Sequence, residues 1–78
     1  DTRISFDLID NANVSLFISD AKGRIHESFL DKEFINSGSY SFTWNGEKKS
    51  TGIYFITLQA QVDQMPPAIF SRKMIYLK

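Results

Sequence analysis

Apolar and polar side chains alternate along most of this chain, and this two-residue period restricts its fold more than any other feature. The clearest case is segment 38–46, where Tyr40, Phe42 and Trp44 alternate with serine and threonine. Successive side chains of a β-strand point to opposite faces, so such a segment has one apolar face and one polar face. Apolar residues at helical spacing are not sustained over three turns in any window. The alternation therefore predicts an all-β protein.

Short alternating segments recur along the chain and are separated by turn-forming residues. The predicted strands cover about residues 3–8, 14–19, 24–30, 38–44, 52–60 and 69–77. Segment Asp20-Ala-Lys-Gly23 is typical of a hairpin with a type I turn followed by a left-handed glycine. Residues 31–37 are interpreted as a polar loop that contains Phe34 and Ile35. Residues 61–67, with Pro66 and Pro67, are interpreted as another connection.

These connections are too short for crossover helices, so the strands are expected to pair in the antiparallel direction. One sheet alone would leave an apolar face in water, which requires a second sheet to face it. We therefore predict an Ig-like antiparallel β-sandwich of six to seven strands in two sheets.

The chain of 78 residues is long enough for one small domain, predicted over residues 1–78. It contains no cysteine, so the core must be formed by side-chain packing, chiefly of 7 Phe, 3 Tyr and 1 Trp. The chain begins at Asp1 without a signal peptide, and we expect it to be a fragment of a longer protein.

Charge and chemistry exclude several classes of function. Nine basic residues balance nine acidic residues, so no overall field attracts nucleic acid. The longest apolar runs are too short to span a membrane. The single histidine, His26, is on the opposite strand face from Glu27 and cannot form a relay with it. The acidic residues lack the spacing of a calcium loop. We expect neither an enzyme nor a cofactor or metal site.

Three stretches carry a resemblance to a known family. VSLFISDAKGR at 14–24 is similar to V-x-L-x-V-x-D-x-x-G-R, and GSYSFTWNG at 38–46 is similar to G-x-x-x-x-x-W-[DN]-G. GIYFITL at 52–58 and SRKMIYLK at 71–78 are similar to G-x-Y-x-x-x-L and to a basic-apolar ending. In this order they resemble the C-terminal sorting domain of type IX secretion cargo proteins of Bacteroidota. They also resemble the related Ig-like domain of flagellar hook-capping proteins.

The resemblance implies a sorting signal at the C-terminal end of a secreted protein. The outer-membrane secretion machinery would recognise it after passage through the periplasm, and a sortase-like peptidase would cut upstream of it. The cargo would then be secreted or held at the cell surface. The implied recognition residues on this chain are Gly52, Tyr54, Leu58, Lys73, Met74, Ile75, Tyr76, Leu77 and Lys78.

The chain departs from the family pattern at three places. The asparagine-proline stretch before the first strand is missing, and His26 replaces an apolar residue. The connection from Gln61 to Ala68 is longer than usual, which leaves the pairing register of the last two strands open. We also expect the apolar residues of the final strand, 74–77, to be buried.

A second candidate surface comes from residues on the outward parity of their strands. Phe17, Ile53 and Phe55 are predicted to form a docking patch for the upstream cargo domain or for secretion machinery. The alternative is that the loop with Phe34 and Ile35 covers them. Two other functions remain open. One is a structural Ig-like or fibronectin-like module of a surface or flagellar assembly. The other is carbohydrate binding, which requires an exposed aromatic platform such as Trp44.

Overall fold

A computed structural model describes residues 2–46 and 49–77, and in this part the chain forms six β-strands without a helix. The strands are β1 (Thr2–Leu8), β2 (Ala12–Asp20), β3 (Ile25–Ile35), β4 (Gly38–Trp44), β5 (Gly52–Gln61) and β6 (Ala68–Tyr76). The predicted all-β fold with six strands is confirmed.

The strands form two antiparallel sheets of unequal size. β1 pairs with β4, and the other four strands lie in the order β3-β2-β5-β6. The rings of Phe42 on β4 and Phe29 on β3 have centroids 5.4 Å apart. The small sheet therefore packs on the large sheet as the second layer of a sandwich, and β3 and β6 are the edges of the large sheet.

The core lies between the two layers. A cluster of buried side chains contains Ile4, Leu16, Ile18, Trp44 and Tyr54. Each belongs to the apolar parity of its strand, so the alternation correctly assigned the inner faces. The Trp44 ring lies 5.3 Å from the ring of Tyr54 and is the largest fully buried side chain. Because the chain has no cysteine, the packing of aromatic side chains and not disulfide bonds stabilises this core.

Gly46 allows two rings to approach the backbone closely. A Cβ atom added to Gly46 would lie 3.1 Å from ring atoms of both Trp44 and Tyr76. This is closer than the ordinary separation of carbon atoms, about 3.5–4.0 Å. A side chain at this position would therefore make the two rings shift, so the glycine of the Trp-Asn-Gly segment contributes to core packing, whereas the sequence indicated only a turn.

The β2–β3 hairpin has the predicted turn. The backbone N–H of Gly23 donates to the carbonyl of Asp20 at 3.0 Å. The backbone N–H groups of Lys22 and Arg24 donate to the Asp20 carboxylate at 2.9 and 3.0 Å. Gly23 has φ +85°, the left-handed conformation that glycine adopts without a Cβ penalty.

Replacing Gly23 with alanine should lower the free energy of unfolding by about 1 kcal/mol, because an L side chain is disfavoured at this φ. No heavy atom lies within 4 Å of the added Cβ, so the cost is conformational rather than steric. Urea denaturation measures it. Gly23→Asn is the matched control and should lose less, because asparagine tolerates this conformation. Equal stability of Gly23→Ala and the parent domain would contradict the turn assignment.

The prediction of a loop over residues 31–37 is wrong for residues 31–35, because β3 continues to Ile35, and only residues 36 and 37 connect it to β4. The backbone N–H of Lys32 donates to the hydroxyl of Ser15 at 2.9 Å, and the β2–β3 register shifts between Val14 and Leu16. Lys32 has φ +52°. The strand therefore continues past this bulge through a polar segment. An edge strand can contain such residues because they are exposed to water.

The register of the last two strands is regular despite the long connection. Ala60 pairs with Ala68 and Gly52 pairs with Tyr76, with no shift between them. Within the connection, the backbone N–H of Met65 donates to the carbonyl of Val62 at 3.0 Å. Pro66 and Pro67 lie outside both strands. β6 is thus fixed as the edge strand beside β5.

Candidate functional site

Three of the predicted recognition residues lie on the central strand β5. Gly52 begins the strand, and Leu58 is half-buried on its inner face. Tyr54 is buried, and its hydroxyl donates to the carbonyl of Ser50 at 2.7 Å. A partner that docks on the folded domain would not reach the Tyr54 side chain. Tyr54 therefore contributes to a recognition surface only indirectly, through its packing in the core beneath that surface.

The other predicted recognition residues lie on or beyond β6. Met74 and Tyr76 are half-buried and pack on the core, whereas Ile75 is 64% exposed and Leu77 is 77% exposed. The predicted burial of 74–77 is thus wrong for Ile75 and Leu77, because Ile75 lies on the outer face of β6 and Leu77 follows the end of the strand. Lys73 is exposed, and Lys78 lies outside the described residues.

The predicted docking patch lies on the outer face of the large sheet. Ile53 is 43% exposed, while Phe17 and Phe55 are half-buried. Ile53 pairs directly with Ile75 of β6, so the patch continues onto the edge strand. We use the name outer patch for Phe17, Ile53, Phe55 and Ile75. Ile53 and Ile75 are its exposed members, and neighbouring exposed apolar side chains are typical of a partner surface.

The alternative in which a loop covers this patch is wrong. Phe34 and Ile35 belong to β3, and they pair with β2 at the edge of the sheet. Phe34 is itself 65% exposed. The outer patch is therefore open to a partner.

A polar cluster that the sequence did not predict lies at the β2–β3 hairpin. The Asp20 carboxylate accepts hydrogen bonds from Arg24 Nε at 2.9 Å and from His26 Nε2 at 2.8 Å. The His26 ring lies edge-on to Tyr54, with centroids 5.5 Å apart. The turn brings His26 back to Asp20 across the hairpin, so a hairpin register could have indicated this contact. The cluster fixes the end of the hairpin against the aromatic core.

The pKa of Asp20 is lowered well below its ordinary value. The hydrogen bond from the His26 side chain is the largest cause. Burial acts in the opposite direction, and further hydrogen bonds from Arg24 and Lys22 lower the pKa again. These donors stabilise the charged carboxylate. The folded state thus prefers ionised Asp20 more than the unfolded state does.

Acid should therefore weaken the domain through Asp20. The stabilisation that ionised Asp20 provides is fully present above the pKa of Asp20 in the unfolded state. It is lost as the pH falls from about 4 toward the lower pKa of Asp20 in the folded state. Asp20→Asn should have a lower Tm at pH 7 and a smaller loss of Tm between pH 5 and pH 2. Thermal melts at several pH values measure this. Asp10→Asn, at an exposed turn carboxylate, is the control, and an identical pH profile for Asp20→Asn and the parent would contradict the assignment.

Other kinds of site have less support in the structure. Trp44 is buried, so it cannot serve as the aromatic platform for a sugar. Within residues 2–46 and 49–77, no three His, Asp or Glu side chains are grouped closely enough to hold a metal ion. The same residues contain no helix long and apolar enough to cross a membrane.

The fold and these surfaces define a small all-β sandwich with an apolar outer patch that continues onto a free edge strand. Comparison with known proteins finds no matching family model, no matching curated protein and no matching solved structure.

Proposed function

We propose that this chain is a non-catalytic sorting domain that directs a cargo protein through the type IX secretion system to the cell surface. Its partners would be the outer-membrane secretion machinery, a sortase-like peptidase and the cargo domain upstream. The proposal rests on the ordered resemblance of segments 14–24, 38–46, 52–58 and 71–78.

One observation of the structure supports it most. Residues 73–76 of the terminal segment that the resemblance assigns to recognition belong to β6, whose only strand partner within residues 2–46 and 49–77 is β5. Ile75 on this strand and Leu77 just after it are largely exposed. An edge strand offers unpaired backbone groups to another sheet, and its exposed side chains provide the specificity. Ile53 extends the apolar surface from β6 onto β5.

Export of a reporter tests the proposal. A periplasmic reporter would carry residues 1–78 at its C-terminus, in a bacterium with a type IX system and in the same strain lacking the translocon. The fusion should reach the surface or the medium only in the competent strain. The reporter without the domain should stay in the periplasm of both strains. Equal retention of the fusion in both strains would contradict the sorting role and favour a structural Ig-like module.

A further inference from the structure

The two layers of the sandwich do not cover each other completely. On β2, the inner side chains of Leu16 and Ile18 are fully buried. On the adjacent central strand β5, the corresponding inner side chains of Ile56 and Leu58 are only half-buried, although they pair directly with Ile18 and Leu16. The small sheet therefore shields β2 but leaves the inner face of β5 and β6 partly open.

An open groove of roughly 490 Å³ lies along this uncovered face. The β1 segment from Thr2 to Phe6 forms one wall, and the β6 segment from Phe70 to Met74 forms the other. Leu16, Ile56 and Leu58 form the apolar floor. Phe70, whose strand position faces inward opposite Leu58, is 64% exposed. The groove is thus an unfilled part of the core.

The wall formed by β1 is a strand with a free edge. Within residues 2–46 and 49–77, β4 is the only strand that pairs with β1. The backbone N–H and C=O groups on the other side of β1 therefore face the groove without a strand partner. An added strand would extend the small sheet over β5 and β6, and β1 offers up to seven residues for pairing.

The charged side chains that line the groove, among residues 2–46 and 49–77, are all basic. They are Arg3, Arg72 and Lys73. Arg72 pairs with Ile56 and occupies an inward position on β6, between Phe70 and Met74. A strand that fills the groove would desolvate this guanidinium, which favours a carboxylate on the incoming strand.

We infer that the groove between β1 and β6 binds an extended segment of a partner polypeptide, which adds to β1 as a third strand of the small sheet. The segment carries apolar side chains at alternate positions toward Ile56, Leu58 and Phe70, and an acidic side chain toward Arg72. This is β-strand addition, in which backbone pairing gives affinity and alternate side chains give specificity. The groove lies on the inner face and does not include the outer patch, although Lys73 and Met74 belong both to the groove and to the predicted recognition residues. The inference rests on the groove geometry and not on the proposed export role.

The charges also argue against one form of self-association, pairing of the groove with β6 of a second copy. The β6 strand of another copy would bring Arg72 and Lys73 against the basic groove. Like charges placed together oppose such pairing. Two other self-associations, β1 on β1 and the acidic edge strand β3 of a second copy in the groove, are outcomes that the test below detects.

The test uses a capped seven-residue peptide with threonine at its even positions, valine at three odd positions and glutamate at the remaining odd position, so that the carboxylate lies on the same face as the valines and toward Arg72. Titration into the isotopically labelled domain should shift amide resonances of β1, β5 and β6, and alternate β1 amides should gain protection from hydrogen exchange. A peptide of the same composition with its valines consecutive should bind at least tenfold more weakly, because it cannot place them all on one face.

Substitutions at two phenylalanines of nearly equal exposure locate the peptide contact. Phe70→Ser should weaken peptide binding roughly tenfold, the effect of losing one well-buried apolar side chain. Phe34→Ser, at the opposite edge of the sheet, should leave binding unchanged, and circular dichroism should show both variants folded. Arg72→Glu should weaken binding of the glutamate peptide and strengthen binding of a peptide in which lysine replaces the glutamate.

Three results would overturn the inference. One is the absence of peptide binding or of new β1 protection. Another is an equal loss of affinity in Phe34→Ser and Phe70→Ser. The third is a concentration-dependent dimer with protected β1 amides in the peptide-free protein, which would assign the groove to a second copy.

Discussion

Trp44→Ala should remove most of the free energy of unfolding of the domain at room temperature. Truncating a buried tryptophan typically costs about 3–5 kcal/mol, and single domains are stable by only about 5–15 kcal/mol. A domain of this size buries a smaller fraction of its surface than larger domains do and is expected near the lower limit. Trp44 also contacts both Tyr54 and Tyr76, so its loss removes the centre of the aromatic cluster. Far-ultraviolet circular dichroism and urea denaturation measure the effect.

Two variants act as controls for this prediction. Trp44→Phe should cost clearly less, because it retains a ring and because Nε1 has no hydrogen-bond partner among residues 2–46 and 49–77. Phe34→Ala removes an exposed ring and should change the free energy of unfolding by no more than about 0.5 kcal/mol. A cooperative Trp44→Ala domain as stable as the parent would show that the core is centred elsewhere.

The double substitution Ile75→Ser and Leu77→Ser should abolish export of the reporter fusion while leaving the fold intact. Both side chains are largely exposed, so their removal should shift the free energy of unfolding by only about 0.5 kcal/mol each. A partner that binds β6 would bury them, and the loss of two apolar contacts should reduce surface-exposed reporter at least tenfold. Cell fractionation and a melt of the purified domain give the two measurements.

This pair separates recognition from stability better than deletion of residues 74–78. The deletion would also remove Met74 and Tyr76, which pack on the core, and would unfold the domain and block export together. Phe34→Ser is the matched control, since it removes an equally exposed apolar side chain far from β6 and should preserve export. A folded double variant exported as well as the parent would refute recognition through β6.

Strand positions were predictable because alternation records which face of each strand is buried. The inward positions of β1, β2 and β4 follow from Ile4, Leu16 and Trp44, and the Asp20–Gly23 turn follows from residue chemistry. β5 and β6 begin or end within one residue of their predicted limits. These features are local, and each can be recognised in a short window.

Features that depend on contacts between distant residues were not predictable in this way. β3 continues through polar residues 31–33 because the Ser15 hydroxyl binds the backbone of Lys32, a contact absent from any local window. Asp20 meets His26 only once the hairpin register is set. Alternation fixes faces but not the lateral offset of the two sheets, so it could not indicate the groove beside Phe70.

The fluorescence of Trp44, the only tryptophan in the chain, tests most directly whether the two sheets close over one aromatic core. In the native domain its emission should be shifted to shorter wavelength than that of free tryptophan and resist quenching by iodide, and both properties should disappear in urea at a single midpoint. Emission like that of free tryptophan, with full quenching before urea is added, would contradict the sandwich. The outer patch, the β6 edge and the groove would then lose the geometry on which their roles depend.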